Sequence, residues 1–252
     1  MGANVYTFTV LCIFVSAAAT FVALSFFSAP YGRHSRRGWG LSLQPRWAWL
    51  IMESPSAIAM AAMAAAGRAR DLLPLLFLGC WELHYIYRSF VYPFLIRGAE
   101  KRNFPFLLMA IALLYNSANA YVNGYNLFWS GRVYTAAWFA DIRFIAGSAL
   151  FVAGLVTHLD SDARLRRLRS AGESGYRVPY GGLFRYVSSP NYLGEIVEWC
   201  GFALATWSIA GLSFAAFTAA NLVPRALSNH AWYRRHFAEY PKERRALVPF
   251  LL

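Results

Sequence analysis

The chain has 252 residues, of which 58% are hydrophobic, 17% aromatic and only 14% charged, and its formal net charge is +12. Soluble domains carry about 25% charged residues, so this composition excludes an ordinary soluble domain and points to an integral membrane protein. The basic residues are divided among four separated segments with no nucleic-acid-binding motif, which excludes nucleic acid as a partner and makes the charge a topology signal.

Apolar stretches of about 20 residues read as membrane spans, and five are predicted in chain order: 5–28, 47–67, 72–96, 104–126 and 138–159. A sixth stretch, 191–224, has Glu195 and Glu198 as its only charges. It is too long for one ordinary span and divides into two short ones with a turn at "SIAGLS". Charge placement supports that division, because segments rich in Lys and Arg stay cytoplasmic. Residues 33–46 carry a net +4, 97–103 a net +2, 160–190 a net +3 and 225–252 a net +4. Between them, 68–71 and 127–137 carry +1 each, and the segment before Arg33 has no charged side chain. An even number of crossings must separate 160–190 from the tail. The expected fold is therefore all-α: a single domain over 1–252, an integral membrane bundle of seven transmembrane helices, N-terminus outside and C-terminus cytosolic.

The first span lacks the basic flank of a cleaved signal peptide. The Ala-rich "AIAMAAMAAAG" at 57–67 reads as a small-residue packing face. Cys12, Cys80 and Cys200 lie far apart with no CxxC pairing and are expected as small core residues. The five histidines show no metal-binding spacing, so no metal is expected.

Ionisable groups inside a span face the bundle interior and mark function. Glu53 precedes Ser-Pro, where a proline frees backbone groups. Glu82, Tyr85, Arg88 and Tyr92 share one face of "WELHYIYRSFVYP". Asp141 and Arg143 open the fifth span, with Asp141 free to pair with a tail arginine. Asn191, Glu195 and Glu198 are spaced four and three apart, one face of a helix, and are expected to line a cavity. Tyr233, Arg234 and Arg235 fall in the tail. The loop 172–192 packs Gly181, Gly182, Arg177 and Arg185 among Tyr, Ser and Pro, a composition suited to an anionic ligand. No GxGxxG follows a strand, so a nucleotide would be held by the helices and their cytosolic loops.

These residues closely resemble the steroid 5-alpha-reductases, membrane enzymes that use NADPH to reduce the 4,5 double bond of 3-oxo-4-ene steroids. The likeness runs through "ESPS", "LHYIYRSFVYP", "NGYNL", "DIRF", "NYLGEIVEWCGFALATWS" and "YPKERRALVPF". The resemblance implies that Glu53 and Tyr85 hydrogen-bond the steroid 3-oxo group. It places Asn191 at the nicotinamide end with Arg225 and Tyr233 nearby, and Asp162, Arg169, Tyr176, Arg177 and Glu195 around the ribose and phosphates. Arg102 matches a further phosphate contact beyond a two-residue insertion after Gly98. Asn229 stands where animal members tend to carry His, and Glu82 is a rival carboxylate to Glu53. The implied cofactor is NADPH, the substrate a 3-oxo-4-ene steroid, and the setting membrane lipid: the inner membrane in a bacterium or the endoplasmic reticulum in a eukaryote, with the chain as a monomer. "SPNYLGE" alone also fits sterol or enoyl-thioester reductases and isoprenylcysteine-type methyltransferases that bind S-adenosylmethionine; a sterol-binding protein without a cofactor is a further alternative.

Overall fold

A computed structural model describes residues 2–68, 71–98, 103–169, 173 and 175–252. Among these, seven long helices build the molecule. Helix α1 spans Gly2–Phe26, α2 Pro45–Ala66 and α3 Leu72–Ile86, which continues through a π-helical turn, Tyr87–Val91, into the short α4, Tyr92–Leu95. Then come α5 (Phe106–Phe128), α6 (Ile142–Arg167), α7 (Pro190–Thr206) and α8 (Ile209–His236). Two-residue strands, β1 (Ser42–Leu43) and β2 (Phe104–Pro105), pair antiparallel and tie the segment before α2 to the start of α5.

Four described helices, Ala3–Phe26, Pro45–Ala66, Phe106–Phe128 and Ile142–Arg167, are long and apolar enough to cross a membrane. They match four of the predicted spans. The third predicted span is a continuous helical stretch over 72–95 that carries a π-helical turn, and α7, with 17 residues, is shorter than an ordinary span. Between α7 and α8 the chain reverses at Trp207, whose φ of 46° puts a non-glycine residue in the left-handed region, and the Ser208 side chain then accepts from the Gly211 amide to cap α8. The turn thus sits at the first residue of "SIAGLS", and the rest of that stretch is already helix. Helix α8 has 28 residues. At 1.5 Å per residue that is about 42 Å, longer than the roughly 30 Å hydrocarbon layer. It runs through Pro224, so Arg225, Asn229, Tyr233, Arg234 and Arg235 ride on a helix and not on a separate tail.

The tightest contact is between α6 and α7. Gly147 and Gly154 on one helix face Gly201 and Gly194 on the other, and a Cβ on any of the four would meet backbone atoms of the partner helix. Without side chains between them the two backbones touch, as small residues permit between membrane helices. The Ala-rich stretch of α2 packs as expected: Ala57, Met60 and Ala64 are buried, and Met63 lies against Gly124 of α5. The aromatic core of Trp81, Trp199, Phe202 and Phe214 joins α3, α7 and α8.

Three expectations give way to the fold. Cys12 and Cys200 are exposed on the outside of the bundle, and only Cys80 is partly buried. Helix positions facing outward are apolar without being core, and a cysteine satisfies either setting. Asp141 pairs with Arg143 of its own helix at 2.6 Å and accepts the Arg143 amide, capping α6; it is a local cap, not a bond to the tail. These bonds to Arg143 hold its carboxyl down at about 2. Gly181 and Gly182 take φ of +83° and +50°, conformations that suit glycine, but the space beside them holds the Arg164 side chain. They serve a turn and are not among the residues that line the central cavity.

Candidate active site

A cavity of about 620 Å³ opens between α1, α2, α3, α5 and α8 and extends to the ends of α6 and α7. Its floor is the aromatic core: Trp81 is fully buried, stacks beside Tyr85 at 4.8 Å between ring centroids and donates its indole N–H to the Ser56 carbonyl at 2.9 Å. Of the two candidate carboxylates, Glu53 lines the cavity, whereas Glu82, one turn before Tyr85, is not among the lining residues.

Helix α2 presents Glu53 beside its internal proline. Pro55 has no amide for the Ile51 carbonyl, and the Ser54 hydroxyl approaches that oxygen at 3.5 Å. Asn116 of α5 donates to the Met52 carbonyl at 2.6 Å and reaches the Glu53 carboxyl at 3.4 Å, so the acid is held from a second helix. Tyr85 is 3% exposed, with Ser56 and Asn119 in hydrogen-bonding reach of its hydroxyl, and Tyr115 Oη, which also lines the cavity, is buried without a hydrogen-bond partner. Buried polar atoms are nearly always paired, so this end of the cavity is prepared for a polar atom of a ligand.

The other end is cationic and aromatic. Arg33 lies over Tyr233 at 4.4 Å, Tyr176 at 5.1 Å and Trp232 at 5.2 Å, and its Nη1 is buried without a hydrogen-bond partner. Arg169 lies over Tyr176 at 4.6 Å and donates to the Gly175 carbonyl. Arg225 packs on Tyr31 and Tyr192 and donates to the Tyr192 hydroxyl at 3.1 Å. Arg177 pairs with Glu173 at 3.0 Å at the exposed rim. Asn191, at the start of α7, donates to Asp162 of α6 at 3.2 Å. Asn229 accepts across from His34 at 3.3 Å, and burial lowers the His34 pKa although Asn229 works the other way. An unpaired arginine nitrogen inside a ring of aromatic faces fits an anionic group attached to a planar base, the chemistry of a nucleotide.

The structure thus brings Glu53, Tyr85, Asp162, Arg169, Tyr176, Arg177, Asn191, Glu195, Arg225, Asn229 and Tyr233 to one cavity. Arg102 lies outside the described residues. Arg185 is exposed over Tyr186 and is not among the lining residues. Glu198 corrects the expectation drawn from its spacing. It is fully buried, does not line the cavity, and bonds His84 Nδ1 at 2.8 Å on its far side. A helix turns about 100° per residue, so positions three apart diverge by about 60°; Glu195 faces the cavity while Glu198 faces α3 and α6. Sequence reading also misses Arg33 and the histidines His84 and His158. Arg33 counts there only as loop charge, and the two histidines stand far apart in the chain, with no local pattern to connect them. Among the described residues, His84, His158 and Glu198 form the compact group of metal-ligand type, with ligand atoms within 4.8 Å of one another; we read it as a chain of acid–base contacts and not as a metal site.

Comparison with known proteins now decides the family. The profile of 3-oxo-5-alpha-steroid 4-dehydrogenase matches residues 102–252. The chain belongs to that family. It is 42% identical to 3-oxo-5-alpha-steroid 4-dehydrogenase 1 of Bos taurus over 240 residues, covering 92% of this chain and 91% of the relative. It is 42% identical to steroid 5-alpha-reductase DET2 of Solanum lycopersicum over 252 residues, covering 98% and 97%, and 38% identical to DET2 of Arabidopsis thaliana, covering 98% and 96%. The profile begins after Glu53 and Tyr85, but the full-length relatives span that half as well.

Proposed function

We propose that this chain reduces the 4,5 double bond of a 3-oxo-4-ene steroid with NADPH. The observation that carries the reading is one cavity with an acid–phenol pair, Glu53 and Tyr85, at its apolar end and Arg33, whose Nη1 is buried without a hydrogen-bond partner, at its aromatic cationic end. When bound, the reduced nicotinamide supplies a hydride, which goes to C5 of the steroid. The chain's own residues do the rest. Negative charge builds on the 3-oxo oxygen as C5 is reduced. The Tyr85 hydroxyl, with Glu53 beside it, stabilises that oxygen in a site backed by the buried Trp81 ring, where each such donor is worth about 10²–10³ in rate. Asn191, braced by Asp162, orients the nicotinamide end, with Tyr233 and Arg225 beside it. Asp162, Tyr176 and Glu195 hold the ribose and diphosphate region. Arg33, Arg169 and Arg177 favour NADPH over NADH, because a 2′-phosphate rewards guanidinium contacts. Asn229, with His34, takes the place of an adenine-side histidine.

The same residues support seven crossings with the N-terminus outside and the C-terminus cytosolic. Arg33, Arg97, Arg169, Arg177 and Arg225, drawn from all four basic segments, surround one mouth of the cavity. The weakly charged segments meet at the other end, where Arg132 donates to the Trp207 carbonyl at 2.8 Å and Tyr134 to that of Thr206 at 2.7 Å. The chain would then act as a multi-pass protein of the inner membrane or endoplasmic reticulum, as a monomer. The test is direct: purify the protein in detergent and follow NADPH absorbance with testosterone- or progesterone-like enones. Oxidation that requires the enone, with slower turnover on NADH, supports the reading. NADPH left unoxidised with every enone, or methyl transfer from S-adenosylmethionine, overturns it.

A further inference from the structure

Four titratable side chains run through the protein behind the cavity wall. His84 of α3 lines the cavity, and its Nδ1 lies 2.8 Å from Glu198 Oε1 of α7. Glu198 Oε2 lies 3.5 Å from His158 Nδ1 of α6, and His158 Nε2 lies 3.3 Å from Asp162 Oδ2, one turn on. Asp162 returns to the cavity at its cationic end, where it accepts from Asn191. All four side chains are at most 3% exposed.

Two features separate this arrangement from a static polar brace. The first is incomplete pairing. The His84–Glu198 bond is well formed, but His158 Nδ1, Glu198 Oε2 and Asp162 Oδ2 are buried without an aligned hydrogen bond, although each has an acid–base partner within 3.5 Å. A brace selected for stability would satisfy these atoms, since each unpaired one costs about 1–3 kcal/mol. The second is charge balance. Arg88 lies 4.0 Å from Asp162 and is shared with Glu195 and Glu53, so the two carboxylates of the row are balanced by part of one guanidinium and a single imidazolium. That one proton can reside on His84 or His158 without changing the net charge of the buried cluster. Its transfer across Glu198 therefore avoids the penalty of burying an unpaired charge.

We infer that Asp162, His158, Glu198 and His84 form a proton relay that supplies the α-carbon of the enone during its reduction. The inference rests on the reductase reading above. Conjugate reduction adds a hydride at the β-carbon (C5), and its two electrons move through the former double bond to the ketone oxygen as an enolate. The α-carbon (C4) must then take one proton as the C=O reforms. C4 is bonded to the carbonyl carbon, so its donor must stand beside the ketone-binding pair. The His84 ring lies 5.0 Å from that of Tyr85, between centroids. Nδ1 is engaged by Glu198, which leaves Nε2 to donate. His84 as the imidazolium gives its Nε2 proton to carbon and keeps Nδ1–H on Glu198. Reloading takes up one proton per turnover, which enters at Asp162 from the basic mouth and passes to His158 Nε2. His158 gives its Nδ1 proton to the Glu198 carboxylate, and the resulting carboxylic acid protonates the bare His84 nitrogen once the ring has turned. Rotation of the Glu198 carboxyl and of the His158 ring restores the starting state. The glycine contacts make the middle link possible: Gly154 and Gly194 let the α6 and α7 backbones touch where His158 and Glu198 emerge.

The test uses the full chain in detergent and separates the proton step from hydride transfer. Saturated 3-oxo-5α-steroid is incubated in D₂O without nucleotide, and deuterium gain at its α-carbons is followed by mass spectrometry. Wild type should catalyse this exchange, and Glu198→Gln and His158→Asn should slow it at least tenfold. In turnover the same variants should lower kcat about 10–100-fold, within the range of acid–base catalysis, with an increased solvent deuterium isotope effect. Enone KM and NADPH affinity should stay within about twofold. Two variants on different helices keep the test standing if one fails to fold, and the wild-type exchange stands without either. Wild type that reduces enones but exchanges no deuterium, or folded variants whose loss leaves the isotope effect unchanged, would overturn the relay and leave the reductase reading intact. Wild type that oxidises no NADPH with any enone would instead sink that reading.

Discussion

Helices α6 and α7 touch backbone to backbone at four glycines, whereas α1, α2, α3, α5 and α8 enclose a cavity of about 620 Å³. Both regions are cut from the same apolar helices, and both contain buried ionisable groups. In the tight pair those groups face one another and leave no room for a ligand. Around the cavity they face open space, and the Tyr115 hydroxyl there has no hydrogen-bond partner within the protein. Side-chain size sets the difference. Glycine at 147, 154, 194 and 201 removes the spacer from one interface, while Trp49, Tyr85, Tyr115, Tyr192 and Phe217 hold the other open. A membrane bundle that must bind a rigid apolar substrate needs both: one rigid seam and one cleft built against it.

The largest expected effect lies in the cleft. Glu53→Gln and Tyr85→Phe should each lower turnover by about 10²–10³ while NADPH affinity, followed by quenching of intrinsic fluorescence, is retained. The double variant should lose far less than the product of the two, because both act on one oxygen. Glu82→Gln is the control. It does not line the cavity, so its kcat should stay near wild type. Loss of turnover in Glu82→Gln with Glu53→Gln intact would redraw the cleft around α3.

How much of this contrast can be read from the chain depends on whether its cause is local. The four long apolar helices and the Glu53 and Tyr85 positions follow from hydropathy and from short motifs, so they are legible. Gly154 and Gly194 lie on different helices with a long loop between them, and nothing local marks them as partners. For the same reason Glu198 reads as a cavity residue: the sequence gives its helical face, but not that α6 presses His158 against it. Arg33 is hidden in a different way. Its charge is legible, but its aromatic surroundings come from Tyr176, Trp232 and Tyr233, in the far half of the chain. The end of α8 is misplaced because a proline reads as a boundary, although a helix held along its length by packing can carry one.

Next in size is the seam. Gly154→Leu would drive a side chain into the α7 backbone at Gly194 and Glu198. Overpacking of this kind costs about 1–3 kcal/mol, and each kcal/mol moves Tm by about 2–4 °C in a chain of this size. A thermal shift in detergent should show that fall. Gly175→Leu, where an added Cβ meets nothing within 4 Å, should leave Tm unchanged. An equal fall in both would mean that the seam is no tighter than a surface loop.

A smaller effect is expected at the cationic end of the cleft. Asn191→Ala removes the donor to Asp162 and the group placed at the nicotinamide end, and should weaken NADPH binding about tenfold, or about 1.4 kcal/mol. Arg33→Ala should weaken NADPH more than NADH if its unpaired Nη1 reads phosphate. Equal weakening of both nucleotides would assign Arg33 to the aromatic stack alone.

The smallest effect belongs to the outer end of the seam, where Asp141 caps α6 in the open. Arg143 holds the Asp141 carboxyl at about 2, below its ordinary 3.8. A depressed carboxyl contributes its full stabilisation above the unfolded value and loses it as pH falls through the folded one. Its contribution should therefore be constant from pH 8 down to about 4 and disappear near pH 2. Because the pair is partly open to solvent, that contribution is screened. Asp141→Ala should lower Tm slightly, by the same increment at pH 8 and pH 5. A decrement that shrinks between those two values would show that Arg143 does not hold the carboxyl down. A decrement as large as that of Gly154→Leu would show that the seam is anchored at its cap and not at its glycines.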